Sequence, residues 1–185
     1  MRFVCMRKFV QLLLIPLVMM TFFAACRTTA PTVRTADQVD LERFMGDWYV
    51  IGNIPTFLEK GIWNAKETYE LEEDNRVATT FSFNKDGPDG KKKTYTPTGF
   101  VRSDAFPSNA VWGMQFIWPI KAEYVIMYVD EDYQETMIGR SKRDYLWIMH
   151  RQPDMPEDRL ETLIEMAVEE GYDRSLIRRV PHSTE

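Results

Sequence analysis

Apolar and polar positions alternate along most of the chain. DWYVIGNIP (47–55), NAKETYEL (64–71), VATTFSF (77–83), TYTPTGFV (94–101), NAVWGMQF (109–116), AEYVIMYV (122–129), ETMIGR (135–140) and YLWIMH (145–150) are short runs rich in β-branched and aromatic residues. Gly, Pro, Asn and Asp punctuate them, which is the pattern of strands joined by turns. NKDGPDGKKK (84–93) reads as a loop from its Asp, Gly and Pro content. Pro97 sits inside the fourth run, and proline belongs at a strand edge or bulge, so this run is the weakest of the eight. Hairpin-sized spacing throughout predicts an all-β fold, a meander or barrel.

The period changes once. In MPEDRLETLIEMAVEEG (155–171), Leu160, Leu163, Ile164 and Ala167 fall on one face of a helix. Asp154 and Glu157 favour its start, Pro156 is tolerated in a first turn, and Gly171 suits its stop. Glu161, Glu165 and Glu169 recur every fourth residue and form a solvated outer face rather than acid/base machinery. The helix is therefore expected outside the barrel with its apolar side inward. LIRRV (176–180) adds a short final strand.

The first residues belong to a different class. Arg2, Arg7 and Lys8 precede an apolar run from Phe9 to Phe23 that Pro16 interrupts. That run is shorter than the ~18 or more apolar residues of a spanning helix, so it reads as an export signal. It ends in Phe23-Ala24-Ala25-Cys26, similar to the lipobox of bacterial lipoproteins, although Phe23 stands where Leu is more usual. Two outcomes follow: acylation of the Cys26 thiol, or ordinary secretory cleavage after Ala25 with an incidental cysteine. The boundaries expected are a signal over 1–25, a lipidated N-terminus and Thr-rich tether over 26–40, a folded domain over 41–181 and a tail over 182–185.

Composition narrows the chemistry. The 185 residues are 44% hydrophobic, enough for one domain with a real core. Cleavage before Cys26 removes three basic residues and no acidic one, taking the formal charge from −5 to −8. Nucleic acid is a poor partner for so acidic a domain, because its phosphates would repel it. Cys5 would leave with the signal and Cys26 would be acylated, which leaves no internal disulfide. His150 and His182 are the only histidines, and no His/Cys/carboxylate grouping has metal-ligand spacing. No cofactor and no catalytic residue is expected.

Three motifs occur in order along the chain. Gly46-Asp47-Trp48 opens the first run after a short apolar turn containing Leu41 and Phe44. Asp132-Tyr133 lies between the sixth and seventh runs. Asp144-Tyr145-Leu146-Trp147-Ile148 precedes Arg151. With a lipobox before them and a helix after, the chain resembles a lipocalin of the bacterial outer-membrane lipoprotein type, and the likeness spans essentially the whole mature chain. The Asp132-Tyr133 turn matches only part of the family's Thr-Asp-Tyr. The resemblance implies an eight-stranded antiparallel up-and-down barrel with a C-terminal α-helix packed outside. It also implies that Trp48 closes one end with Arg151 stacked over it, so that Gly46, Trp48, Asp132, Tyr133 and Arg151 are structural. Related chains often have Glu where this one has Val50. The segment IPTFLEKGIW (54–63) is the expected lid at the open mouth, and Lys91, Lys92 and Lys93 follow a flexible loop.

Period-two alternation, with the family's register, sorts each run into faces. If Trp48 points in, so do Val50, Gly52 and Ile54. The others contribute Ala65, Glu67, Tyr69 and Leu71; Val77, Thr79, Phe81 and Phe83; Trp112, Met114 and Phe116; Tyr124, Ile126 and Tyr128; Tyr145 and Trp147. From these the expected ligand-contacting set is Val50, Gly52, Glu67, Tyr69, Phe81, Trp112, Met114, Phe116, Tyr124, Ile126, Tyr128 and Trp147. Glu67 faces either a ligand headgroup or an ion-pair partner. Many apolar groups with few polar ones suit a fatty acid, a lysophospholipid or another small hydrophobic ligand. A barrel filled by its own side chains, and an isomerase or de-epoxidase acting on a lipid-like substrate, are the alternatives. The expected partners are that ligand and the membrane through the lipid anchor, and a homodimer is compatible with the sequence. Arg27 follows Cys26, and in diderm bacteria an Asp there commonly marks inner-membrane retention. The resemblance therefore implies the periplasmic face of the outer membrane.

Overall fold

Each alternating run becomes a strand that hydrogen-bonds to its sequence neighbour. The computed structural model describes residues 30–183. Cys26 and the expected signal lie outside the described residues. Residues 31–183 form one compact unit with its own core. The strands are β1 (Gly46–Ile54), β2 (Ile62–Leu71), β3 (Arg76–Lys85), β4 (Lys91–Tyr95), β5 (Thr98–Val101), β6 (Val111–Ile117), β7 (Ile120–Val129), β8 (Glu135–Gly139), β9 (Leu146–His150) and β10 (Arg178–Arg179). The helices are α1 (Leu41–Phe44) and α2 (Glu157–Glu169).

Pairing is antiparallel throughout, and β1 with β9 closes the sheet into a barrel. Both β4 and β5 pair with β3, β4 along Phe81–Lys85 and β5 along Arg76–Ala78. They are one stave broken at Pro97, whose carbonyl still accepts from Thr79 N–H at 3.1 Å. Counted this way the barrel has eight staves. Half of the expected 84–93 loop is strand: Lys91, Lys92 and Lys93 pair with Lys85, Asn84 and Phe83. Backbone pairing with β3 extends this segment despite its lysines, since a ladder is built from main-chain groups and the side chains here remain exposed.

The first, third and later alternate staves run toward one end, which is bounded by residues 55–61, 85–91, 117–120 and 140–145. This is the open end. The other connections, with α1, form the closed end. The short final strand, β10, pairs with Gly52–Asn53 of β1 beyond the stretch where β1 pairs with β2. The C-terminal tail continues this seam: Asn64 N–H donates to the Pro181 carbonyl at 2.9 Å, and Ser183 N–H donates to the Asn64 side chain at 2.8 Å.

Two bulges decide which side chains face inward. In β1 the register shifts between Val50 and Gly52, and in β7 between Ile126 and Tyr128. Each inserts a residue, so the alternation resumes on the opposite parity. Ile51 and Met127 point outward to the helix, and Ile54 joins them in that cluster rather than facing the interior. Asn53 takes the inward position that simple alternation assigns to Gly52.

The helix lies outside, apolar face in, as its period predicts. Leu160, Leu163 and Ala167 are buried against Ile51, Met127, Met137 and Ile148. Burying each leucine contributes roughly 1.5–3 kcal/mol. The Arg159 guanidinium pairs with Glu135 of β8 at 2.6 Å, and the helix stops at Gly171, whose φ of +90° suits glycine. On the same flank, Tyr172 Oη accepts from Arg140 N–H at 2.9 Å.

The tether assignment needs correction from residue 32 onward. Thr32 N–H donates to Ser141 Oγ at 2.9 Å, Arg34 N–H to Glu170 at 2.9 Å, and Ala36 N–H to the Ile126 carbonyl at 2.9 Å. Val33 and Val39 are buried. The segment is a strap along β7, running from the open end to the closed end. Alternating small polar residues hide it: Val33 and Val39 are its buried hydrophobic side chains, and the strap is held largely through its own backbone N–H groups.

Candidate functional site

At the closed end, Gly46 has φ +92°, which lets the chain turn from α1 straight into β1, with the Arg151 guanidinium packed beside it. The Arg151 guanidinium lies 3.8 Å from the Trp48 ring centroid. It also donates to the carbonyls of Arg43 (2.7 Å), Asp47 (2.8 Å) and Tyr133 (3.1 Å), joining α1, β1 and the β7–β8 turn. Trp48 is fully buried and its indole N–H donates to the Phe44 carbonyl at 2.8 Å. Tyr133 takes φ +58°, and its hydroxyl accepts from Asp40 N–H at 2.8 Å. Asp132 is exposed; the carboxylate that holds this turn is Asp130, which accepts from Gln134 and Glu135 N–H.

Aromatic rings fill the lower barrel above this floor. Phe44 meets Trp48, Tyr69 and Trp112 at ring separations of 5.1, 5.7 and 5.6 Å. Trp112 stacks on Tyr124 at 5.6 Å, and Tyr124 on Trp147 at 6.2 Å, carrying the column toward the mouth. Trp48, Trp112 and Tyr69 are each completely buried. Edge-to-face and offset contacts of this kind contribute about 0.5–1.5 kcal/mol per pair beyond the area they bury.

Polar groups inside are few: two clusters, and Thr79 of β3, whose hydroxyl donates to the Val77 carbonyl. The Tyr69 hydroxyl donates to Glu67, and the Tyr69 and Tyr124 hydroxyls are 2.5 Å apart. Burial pushes the Glu67 carboxyl up to about 7, opposed by the Tyr69 hydrogen bond and assisted by the charge of Glu59. Both tyrosines are raised, first by burial and next by the charge of Glu67. Glu67 thus has phenol partners, and none of the buried charged residues described is a Lys or Arg.

Nearer the mouth, Glu59 accepts from Asn53 Nδ2 at 3.0 Å and from the Trp147 indole N–H at 3.2 Å. Its carboxyl is raised by burial, against hydrogen bonds from Thr56, Asn53 and Trp147. Neither Glu59 nor Asn53 was expected inside. Asn53 is displaced onto the inner face by the β1 bulge. Glu59 had one sequence signal, a carboxylate placed between the apolar pairs of the 54–63 segment.

Of the expected ligand-contacting set, Val50, Glu67, Tyr69, Phe81, Trp112, Met114, Tyr124 and Ile126 are buried in the barrel interior, with Trp147 half-buried against them. Gly52 is a correction: a side chain there would meet Leu160 of α2 at 3.5 Å, on the outside. Tyr128 is another, turned by the β7 bulge to the outer cluster near Glu135 and Arg159. Phe116 is exposed within the register shift of β6, and Leu71 is exposed at the closed end. Among the described residues, no group of three or more His, Cys, Asp or Glu is placed to hold a metal, and no helix is long and apolar enough to cross a membrane.

A closed barrel with a flanking helix, a Trp–Arg plug and an aromatic interior is one architecture, and residues 39–182 match the Lipocalin-like domain. The chain belongs to the lipocalin family. It is 34% identical over 158 residues to temperature-induced lipocalin-1 of Arabidopsis thaliana, covering 78% of this chain and 80% of that one. It is 26% identical over 153 residues to outer membrane lipoprotein Blc of Escherichia coli K12, covering 82% and 85% respectively. Among solved structures it resembles insecticyanin from the tobacco hornworm, with a TM-score of 0.65, 15% identity and coverage of 84% and 87%. It also resembles lobster apocrustacyanin A1, with a TM-score of 0.62, 8% identity and coverage of 82% and 91%. These structural likenesses concern the fold alone. Family membership, with relatives named as outer membrane lipoproteins, supports a role for this lipocalin in binding a lipid or other small hydrophobic ligand.

Proposed function

We propose that this lipocalin binds single-chain acyl lipids, fatty acids or lysophospholipids, in the upper half of its barrel, while a lipid on Cys26 holds it to the periplasmic face of the outer membrane. One observation carries the reading: above the Tyr69–Trp112–Tyr124 layer the interior is apolar, with Phe81, Phe83, Met114 and Ile138 buried there. The buried polar side chains inside are the two carboxylate clusters and, lower down, Thr79. With Glu59 and Glu67 inside and no buried cation among the described residues, an anionic head is unwelcome there. The acyl chain therefore enters tail first, leaving its head at the rim beside exposed lysines.

Each buried methylene contributes about 0.8 kcal/mol, so a chain of moderate length reaches micromolar affinity after ordering costs. Titrating acyl chains of increasing length against tryptophan fluorescence tests this, with Trp112 and Trp147 as reporters. Affinity should climb with length and stop where the aromatic layer blocks the barrel. Affinity that is flat with length, or a compact polar compound binding best, would overturn the acyl-lipid reading. The anchor is tested separately by feeding cells a labelled fatty acid. Label should enter the full chain and be absent from Cys26→Ala; an unlabelled wild-type chain refutes acylation. The resemblance to bacterial lipoproteins is what supports that part of the proposal.

A further inference from the structure

The strand connections at the two ends of the barrel differ in both polarity and charge. Phe116, Ile117, Trp118 and Ile120 form the tip of the β6–β7 hairpin, and Phe57 stands on the β1–β2 connection; their exposure runs from 52% for Phe116 to 82% for Trp118. All five are at the open end. Singly exposed apolar residues are ordinary, but four within five positions of one hairpin tip are not. The four open-end connections taken with the strand ends that flank them, 55–61, 85–93, 116–121 and 140–145, hold nine Lys or Arg against four Asp or Glu, and one of those four, Glu59, is buried. The closed-end segments 40–45, 72–75, 102–110, 130–134 and 151–156 hold three Arg against ten Asp or Glu. The chain as a whole is acidic, at −5, yet its open rim is basic.

The strap adds a third, independent fact. Thr32 is bonded to Ser141 and its carbonyl accepts from Arg143, so the chain enters the fold at the open end. Cys26 precedes Pro31 by five residues, a reach of at most ~18 Å of extended chain. A lipid on Cys26 would hold this end, and not the acidic one, close to the bilayer.

We infer that the open rim docks mouth-down on a lipid bilayer bearing anionic headgroups, with Trp118, Ile117 and Phe57 inserted among the acyl chains and Lys91, Lys92 and Lys93 over the headgroups. Apolar tips buried at the headgroup boundary, combined with a basic surround, are the recognised physics of interfacial binding. The ten acidic residues orient the closed end away from the same surface. Rim docking deepens the acyl-lipid reading, since it puts the mouth where a lipid could pass without crossing water. The docking itself does not require that reading.

The test uses residues 26–185 carrying Cys26→Ala, so that no anchor contributes, with vesicles of phosphatidylcholine alone or mixed with phosphatidylglycerol. Co-sedimentation should be strong with the mixture and weak with phosphatidylcholine alone. Replacing Ile117→Ser and Trp118→Ser together should weaken binding to the mixture about tenfold or more. Neutralising Lys91, Lys92 and Lys93 to Gln should abolish the preference for phosphatidylglycerol. Leu71→Ser, at the exposed apolar position of the closed end, should change nothing. Failure of the parent protein to bind vesicles, or rim variants that bind as the parent does, overturns the inference. A rim pair that converts a dimer to a monomer while vesicle binding persists would assign the patch to a second copy and equally overturn it. Acyl-chain affinity in solution is read on the same samples, so loss of one activity without the other tells which proposal has failed.

Discussion

The closed and open ends of this barrel are built from the same alternating strands, yet they solve opposite problems. The closed end is consolidated: a glycine, a tryptophan and an arginine interlock α1, β1 and the β7–β8 turn, and every polar group of the Arg151 side chain is directed at a carbonyl or a ring. The open end leaves large apolar side chains in solvent and folds one carboxylate, Glu59, into the interior beside Asn53 and Trp147. Stability is concentrated where no ligand passes. Unfavourable exposure and unfavourable burial are both concentrated where one would.

The largest expected effect breaks the closed end. Arg151→Ala should lower stability by roughly 2–4 kcal/mol, through loss of the ring contact and three hydrogen bonds to main chain. A denaturant midpoint that does not move would show that the plug is ornamental. Acyl affinity of the folded fraction should change little, and lost binding at an unchanged midpoint would invert the roles of the two ends.

Next comes the bulge in β1. Gly52→Phe should cost roughly 1–3 kcal/mol by overpacking the gap beneath Leu160, while leaving the acyl-length limit untouched. If the limit shortens instead, residue 52 faces the interior and β1 keeps its alternation unbroken through Ile54. Phe81→Leu, which does face the interior, is the matching change expected to lengthen the preferred chain.

The third effect is one of pH. Glu67 has a folded-state value of about 7 against an ordinary 4.5. Between those values the folded chain holds a proton that the unfolded chain has released. Stability is therefore greatest below about 4.5, falls as pH rises through the window, and levels off above about 7. The loss should be at most about 3 kcal/mol for Glu67, with Glu59 acting in the same direction. In Glu67→Gln most of that slope should vanish from denaturation curves taken across the window. An unchanged slope would place the titrating group elsewhere, with Glu59 first in line.

The smallest effect sharpens the comparison from the other side. Trp118→Ser should alter stability by less than ~0.5 kcal/mol, because an exposed side chain contributes little to the fold. A melting temperature that drops markedly would mean the tip is packed against something in the folded protein. No comparable large side chain at the closed end should be so freely removed.

Much of the fold was legible because it rests on local chemistry. Gly46 before Trp48, Pro97 at the broken stave, Gly171 at the helix stop and the 160–167 stripe all act through their own backbone or their own face. The Trp48–Arg151 contact was legible only by resemblance, since over a hundred residues separate the pair and neither has a local signal. Inward placement follows from alternation for Glu67, Tyr69, Trp112 and Tyr124, which lie on stretches of their ladders clear of a register shift. It fails for Gly52, Tyr128 and Phe116, each of which lies at or just beyond a register shift.

The sequence by itself determined the strand and helix content, the apolar stripe of α2, the aromatic character of the interior and the opposite charges of the connecting segments, because each is carried by residue type and short-range period. Tertiary structure alone decided where β1 and β7 bulge, and hence that Asn53 and not Gly52 faces inward. It also decided that Glu59 folds in from the lid, and that the N-terminal strap enters at the open rim. The reason is common to all of these. A strand's alternation fixes faces only relative to its own ladder, and an inserted residue is accepted or rejected by the partner strand and the helix behind it, which no local stretch of sequence contains.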